Sequence, residues 1–278
     1  ETETSCYDYE RYRTWTHLDI NAVNLSDPTN PSIIDTLVMP TEQEYVGLMA
    51  EGNSLYYSYK IPHAVQGDAR PYARFFVKEL DFTNPAQPVE GSGVNVPGSL
   101  IAVDGDVYYT RDYIWNHDEV ESAINKLERH GNAAVLKARL RFPDQYVNNM
   151  LLDGAGHALV THRLSWQAQS ELGLDWDEVD EMMTVLDITG PGFSLASQLA
   201  VDRWASLQQA MAGRALFSVP GGLLVVNLDE ATAPFAQAYF PTLGWPQSLK
   251  VHDRSITFAA GRYGMYRFGL DDFNLLED

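Results

Sequence analysis
The feature that most constrains this chain is a recurring corner. A Leu-Asp pair or its equivalent closes an apolar run, and Thr, Asn or Gly followed by Pro comes a few residues later. The clearest copies are Leu25-Ser-Asp-Pro-Thr-Asn-Pro31, Leu80-Asp-Phe-Thr-Asn-Pro85, Leu186-Asp-Ile-Thr-Gly-Pro191 and Leu228-Asp-Glu-Ala-Thr-Ala-Pro234, with weaker copies starting at Leu140 and Leu270. The anchors are separated by 55, 60, 46, 42 and 42 residues. The shortest spacing is the unit, and self-similarity at such a period marks stacked repeats. Asp, Asn or Thr in such a phrase bonds its own backbone and Pro sets φ, so each copy ends one strand and launches the next at a fixed angle.

A second element recurs between the corners: a short apolar strand, a tight turn, and a strand of alternating apolar residues. Copies run over residues 46–57, 100–109, 150–160, 209–217 and 249–258. Gly52, Gly105, Gly154 and Gly213 supply the positive φ that such hairpin turns require, with Asp253 standing in the last copy. One unit therefore reads as hairpin strands a and b, a strand c ending in the corner, and a strand d such as Ile33 to Met39 or Phe235 to Phe240. Four antiparallel strands per repeat is the arithmetic of a β-propeller blade. Stacked blades bury both faces, so a and b should be more densely apolar than d, as Leu223-Leu-Val-Val226 is against Ala236-Gln-Ala-Tyr239. The expected fold is an all-β propeller of four-stranded antiparallel blades, about five to six of them visible, with short helical insertions. Residues 1–13 form a lead-in segment and residues 14–278 the propeller domain. Five hairpins accompany six c strands, so either the N-terminal strands complete the last blade of a five- or six-bladed ring or the chain is the C-terminal part of a seven- or eight-bladed one; Glu1 to Arg13 reads as an entry segment rather than a cap, which favours the fragment.

The best units, Gly222-Leu-Leu-Val-Val-Asn-Leu-Asp-Glu-Ala-Thr-Ala-Pro234 followed by Leu243-Gly-Trp-Pro-Gln-Ser-Leu-Lys-Val251, and the restart at Tyr263-Gly-Met-Tyr-Arg-Phe-Gly-Leu270, resemble the LVIVD repeat of bacterial secreted and surface β-propellers. The resemblance covers residues 182–278 well and 14–181 more loosely, and Leu140-Arg-Phe-Pro143 departs from the phrase. It implies the fold and an extracytoplasmic setting, and carries no catalytic motif.

Function is expected where the repeats are interrupted, because insertions in a repeat protein gather on one face, often the binding face. The b-to-c connections at 62–72, 113–131 and 163–181 are long and should build one rim. The second holds His117 to His130, with Val120, Ile124 and Leu127 at helical spacing and Asn116 and Glu119 as a capping box, which predicts a short amphipathic helix. The third carries Glu171, Asp175, Asp177, Glu178, Asp180 and Glu181. Carboxylates so clustered can hold Ca²⁺, but Asp175-Trp-Asp-Glu-Val-Asp lacks the turn glycine of a calcium loop and reads better as a solvated acidic helix start. The candidate binding residues are Trp115, His117, His162, Trp166, Trp176, Asp175 and Asp177. The tryptophans offer an aromatic platform for a sugar or peptide, or anchors for the loops, and His63, His117 and His162 at the rim could converge on a metal.

Acidic residues outnumber basic ones by 38 to 19, and a formal charge of −19 repels phosphate backbones, so nucleic acid is not an expected partner. Cys6 stands alone, which excludes an intrachain disulfide or a multi-cysteine zinc site. No run of about 18 apolar residues is present, so no transmembrane helix is expected. The chain has no nucleophile elbow, no His-Glu-x-x-His helix and no phosphate loop, and Gly154-Ala-Gly156 is not a dinucleotide fingerprint. The expected function is a non-enzymatic binding or scaffolding module taking a protein or glycan on the b-to-c face, without a cofactor unless Ca²⁺. A metal-dependent lyase, lactonase or hydrolase with its site at the channel mouth is the alternative, and a subunit that completes its ring with partner strands is a third.

Overall fold
The computed structural model describes residues 19–38, 40, 43–61, 74–116, 119–175, 177–252 and 255–269. The described residues are all-β apart from one short helix and one 3₁₀ turn, and the chain divides into two compact units. Unit 1 comprises residues 1–112 with 127–136, and unit 2 residues 113–126 with 137–278.

Unit 1 begins with the two-stranded sheet β1 (Asp19–Asn24) and β2 (Ser32–Val38). Next come β3 (Glu44–Glu51), β4 (Ser54–Ile61) and β5 (Arg74–Asp81), whose outer edge is paired by two short pieces, β6 (Val89–Glu90) and β7 (Val94–Val96). The fourth strand is thus broken at Gly91-Ser92-Gly93. The next sheet runs β8 (Ser99–Asp104), β9 (Val107–Asn116), β10 (Glu119–His130) and β11 (Ala133–Pro143), and the last three contribute residues to both units. Unit 2 continues with two four-stranded antiparallel sheets. The first holds β12 (Gln145–Leu152), β13 (His157–Leu164), β14 (Glu181–Asp187) and β15 (Ser194–Val201); the second holds β16 (Ser206–Met211), β17 (Arg214–Val219), β18 (Gly222–Asn227) and β19 (Phe235–Pro241). A three-stranded sheet of β20 (Gln247–His252), β21 (Ser255–Ala259) and β22 (Met265–Gly269) closes the described chain.

All five expected hairpins are present, as β3–β4, β8–β9, β12–β13, β16–β17 and β20–β21. Gly52, Gly105, Gly154 and Gly213 adopt φ of 55°, 55°, 72° and 78°, as the turns demand. Every one of these hairpins carries a register irregularity in its first strand, at Val46, Ile101, Asn148, Gln208 and Ser248-Leu249. Such bulges add local twist to the strand that bears them.

The corners are built on an Asx side chain at the end of the strand that precedes the outermost one, β1 in the two-stranded sheet and the third strand in the larger ones. Asn24, Asp81, Asp187 and Asn227 accept the backbone N–H two residues on, at 2.9, 2.7, 2.8 and 2.9 Å. The next residue then ties the corner to its own hairpin: Phe82, Ile188 and Leu228 donate N–H to the carbonyls of Asn53, Gly156 and Gly213. This equivalence corrects the sequence alignment, because Leu228 corresponds to Ile188 and Phe82 rather than to Leu186 and Leu80.

The copy at Leu140 is also corrected. Leu140 lies within β11, a fourth strand, and the third strand of that sheet is β10, which turns at Gly131-Asn132. The helix expected over 117–130 is therefore a strand over its described part, 119–130. All six residues from Ser122 to Lys126 and Leu127 are buried, polar ones included. Ser122 Oγ donates to the Gln145 carbonyl at 2.7 Å, and Lys126 Nζ donates to the carbonyls of Ile188 and Gly190, both at 2.7 Å. A helix would need one solvated face. A strand covered on both sides accepts polar residues once each is bonded.

The same two-sided burial shapes β17 and β18. Ala215, Phe217, Val219 and Val226 join a core with Leu159, Met183 and Val185 of the preceding sheet, while Leu216, Leu223 and Val225 join one with Leu249, Ile256 and Phe258 of the following sheet. Residues 223–226 are apolar without alternation because neither face meets water. Outer strands do meet it, and Leu195 and Phe235 are exposed there.

Candidate functional site
The third expected insertion is the one whose course is largely described. The side chain of Ser165 caps α1 (Trp166–Leu172) by accepting from the Ala168 N–H at 3.2 Å, and Gly173 ends it in the left-handed region at φ 67°. The acidic segment after it does not start a helix. Glu178 instead closes a turn on Asp175, whose N–H donates to Glu178 Oε2 at 3.0 Å while the Glu178 N–H returns to the Asp175 carbonyl. With no helix N-terminus there, Asp175, Asp177, Glu178 and Asp180 are exposed, and Glu181 alone of the later carboxylates is buried.

The singled-out residues whose side chains are described stand on different elements. Trp166 stands on α1 with 69% of its surface exposed, and Asp175 and Asp177 are exposed in the following loop. His162 is buried in β13, 3% exposed. Trp115 belongs to β9, but its side chain, with His63, His117 and Trp176, lies outside the described residues. Insertion 62–72 lies outside them too, and 113–131 is not a loop but mostly strands β9 and β10.

The structure places a polar cleft of about 330 Å³ at the end of the β12–β15 sheet from which α1 emerges. Its walls come from the bulge of β12, the ends of β13 and β14, and the β15–β16 connection. Glu181 opens β14 and is 3% exposed. Both its oxygens accept from Asn148 Nδ2, at 2.7 and 2.9 Å, and Thr161 adds a side-chain hydrogen bond. Burial raises the Glu181 pKa, and Asn148, the positive field of Arg163 and Thr161 oppose the rise without cancelling it. Asn148 reaches the carboxylate because it is the bulged residue of β12, so the irregularity that twists the strand also aims an amide into the cleft. Arg203 and Trp204 face the same space, held by an Asx turn in which Asp202 Oδ1 accepts the Trp204 N–H at 2.8 Å. The indole is 40% exposed.

Of this cleft, sequence reasoning had Glu181 in the acidic insertion and named neither Asn148 nor Trp204. Asn148, Glu181 and Trp204 belong to three different strands or connections, and only Glu181 fell within an expected insertion. The one legible signal was Asp-x-Trp after a strand, which predicts an Asx turn presenting an aromatic.

No protein-family model matches the chain, and no curated protein matches it. Among the described residues no three His, Cys, Asp or Glu side chains assemble as metal ligands, and no helix is long and apolar enough to cross a membrane.

Proposed function
We propose that this chain is a non-enzymatic β-propeller module, each sheet a blade, that binds a hydroxyl-rich glycan in the Glu181 cleft. Two features support the architecture. First strands of successive sheets touch within each unit, β3 with β8, β12 with β16 and β16 with β20, as strands lining a common axis do. The repeated bulge in those strands supplies the twist that such packing needs. The resemblance of residues 182–278 to LVIVD repeats adds the setting, a bacterial secreted or cell-envelope protein, and the −19 charge keeps such a protein soluble.

The observation that carries the ligand class is the pairing of a half-exposed indole with a buried, hydrogen-bonded carboxylate. A sugar ring offers an apolar C–H face to stack on Trp204, and hydroxyls that exchange hydrogen bonds with Asn148, Glu181 and Arg163. Small sites of this kind fix orientation with few well-held polar groups. A polysaccharide panel of bacterial cell-wall and capsule glycans, read by titration calorimetry on the strongest hit, tests it. Trp204→Ala should weaken that binding at least about 10-fold, matching the loss of about 1.4 kcal/mol, with the unfolding midpoint unchanged. Retention of no glycan, or equal binding by the variant, overturns the reading.

A further inference from the structure
We propose that a second cleft, formed by the end of β11 and the β13–β15 face, binds a small planar molecule carrying an unsubstituted or cyclic amide. This cleft has a volume of about 230 Å³ and shares no lining residue with the Glu181 cleft. An apolar cavity of about 150 Å³ holds a benzene ring, so the space suits one ring and a polar head. Its walls are mostly apolar, from Leu140, Phe142, Leu186, Phe193 and Leu195.

Two polar groups set the chemistry. His162 Nε2 lies 2.7 Å from Thr184 Oγ1, which also accepts from Gln198 Nε2 at 3.0 Å. The hydroxyl keeps its proton and a second lone pair; with that proton given to His162 Nε2, the ring proton sits on Nδ1. That Nδ1 is buried and makes no hydrogen bond, and neither does the buried Oε1 of Gln145 in the same lining. Each such group is costly to bury unless a partner is supplied. One donor and one acceptor on an apolar wall match the carbonyl and N–H of an amide. Burial holds the imidazole pKa down to about 4, so the ring is neutral near pH 7 and has no positive charge to select a carboxylate. Phe142, tilted 49° with its centroid 4.9 Å from the His162 ring, provides a wall for the ligand's apolar body.

The test uses benzamide, N,N-dimethylbenzamide and benzoate with protein labelled with ¹⁵N at histidine, the His162 signals being identified by their loss in His162→Phe. Benzamide should shift the His162 Nδ1 resonance saturably, and the dimethyl amide and benzoate should bind at least about 10-fold more weakly. Thr184→Val, which removes the group orienting the ring, should reduce benzamide affinity by a similar factor. A His162 signal unmoved at the solubility limit of benzamide, or an equal response to all three probes, overturns the proposal, and the ranking on the wild-type chain decides it even where a variant does not fold. Because the two clefts have separate linings, glycan binding and amide binding stand or fall independently.

Discussion
His162 shows how one buried side chain ties stability to pH. Its folded pKa is lowered by burial to about 4 from an ordinary 6.5. Between these values the unfolded chain binds a proton that the folded chain refuses, so the contribution is complete above pH 6.5 and is lost as pH falls toward 4. The shift corresponds to about 3 kcal/mol. The neutral variant His162→Gln should lose that much less stability than wild type between pH 7 and pH 4, measured as the difference between urea unfolding curves. Gly98 sets a different residue-scale limit. It sits at φ 80°, and a Cβ there would lie 2.1 Å from the Arg111 carbonyl oxygen. Neither the backbone angle nor the backbone neighbour can yield cheaply, so Gly98→Ala should cost about 3 kcal/mol or more in chemical denaturation.

At the scale of elements, the sheets are stitched by polar groups that the apolar pattern does not reveal. In unit 1, Ser58 Oγ accepts the Leu100 N–H at 3.3 Å, linking β4 to β8. In unit 2, Ser218 Oγ donates to the Pro246 carbonyl at 2.7 Å, Asn149 Nδ2 to the Leu207 carbonyl at 3.0 Å, and Ser197 Oγ to the Ala231 carbonyl at 2.5 Å. Lys126 is the strongest of these ties, since an ammonium holds two carbonyls of the corner after β14. Lys126→Met keeps the length and apolar stem but removes the donors, and should destabilise by about 2–3 kcal/mol in thermal or urea unfolding. The Glu79 network in unit 1 works alike: burial alone would raise the carboxyl pKa, but Arg129, Ser54 at 2.7 Å and Tyr56 at 3.3 Å bring it below the ordinary value. The corners carry their own acid sensitivity. Thr83 and Thr189 lower the pKa of Asp81 and Asp187, so this support is present above the ordinary 3.8 and fades as pH drops through the lowered values.

For the whole molecule the dominant electrostatic quantity is the net charge of −19. Self-repulsion of that size opposes compaction and is screened over about 8 Å at physiological ionic strength. The unfolding midpoint should therefore rise between about 10 mM and 150 mM NaCl, followed by calorimetry; a midpoint that falls would mean that attractive pairs outweigh the repulsion. Hairpins, glycine turns and Asx corners were legible in the sequence because each is decided within a few neighbouring residues, where side chain and backbone meet directly. The helix expected over 117–130 was misread because a strand covered on both faces loses its alternation, and the corner at Leu140 and the equivalence of Leu228 were misread because a Leu-to-Pro phrase does not say which strand the Leu belongs to or which Asx side chain closes the turn. The two clefts were the least legible. Asn148, Glu181 and Trp204 meet only after a bulge, a strand pairing and an Asx turn have been superposed, and the unpartnered Nδ1 of His162 exists only once Thr184 has claimed the other ring nitrogen. The sequence by itself determined the repeating units, since local turn chemistry and apolar content suffice for them. Only tertiary structure decided which polar groups are buried, bonded or left to meet a ligand, because that depends on what packs against both sides of each sheet.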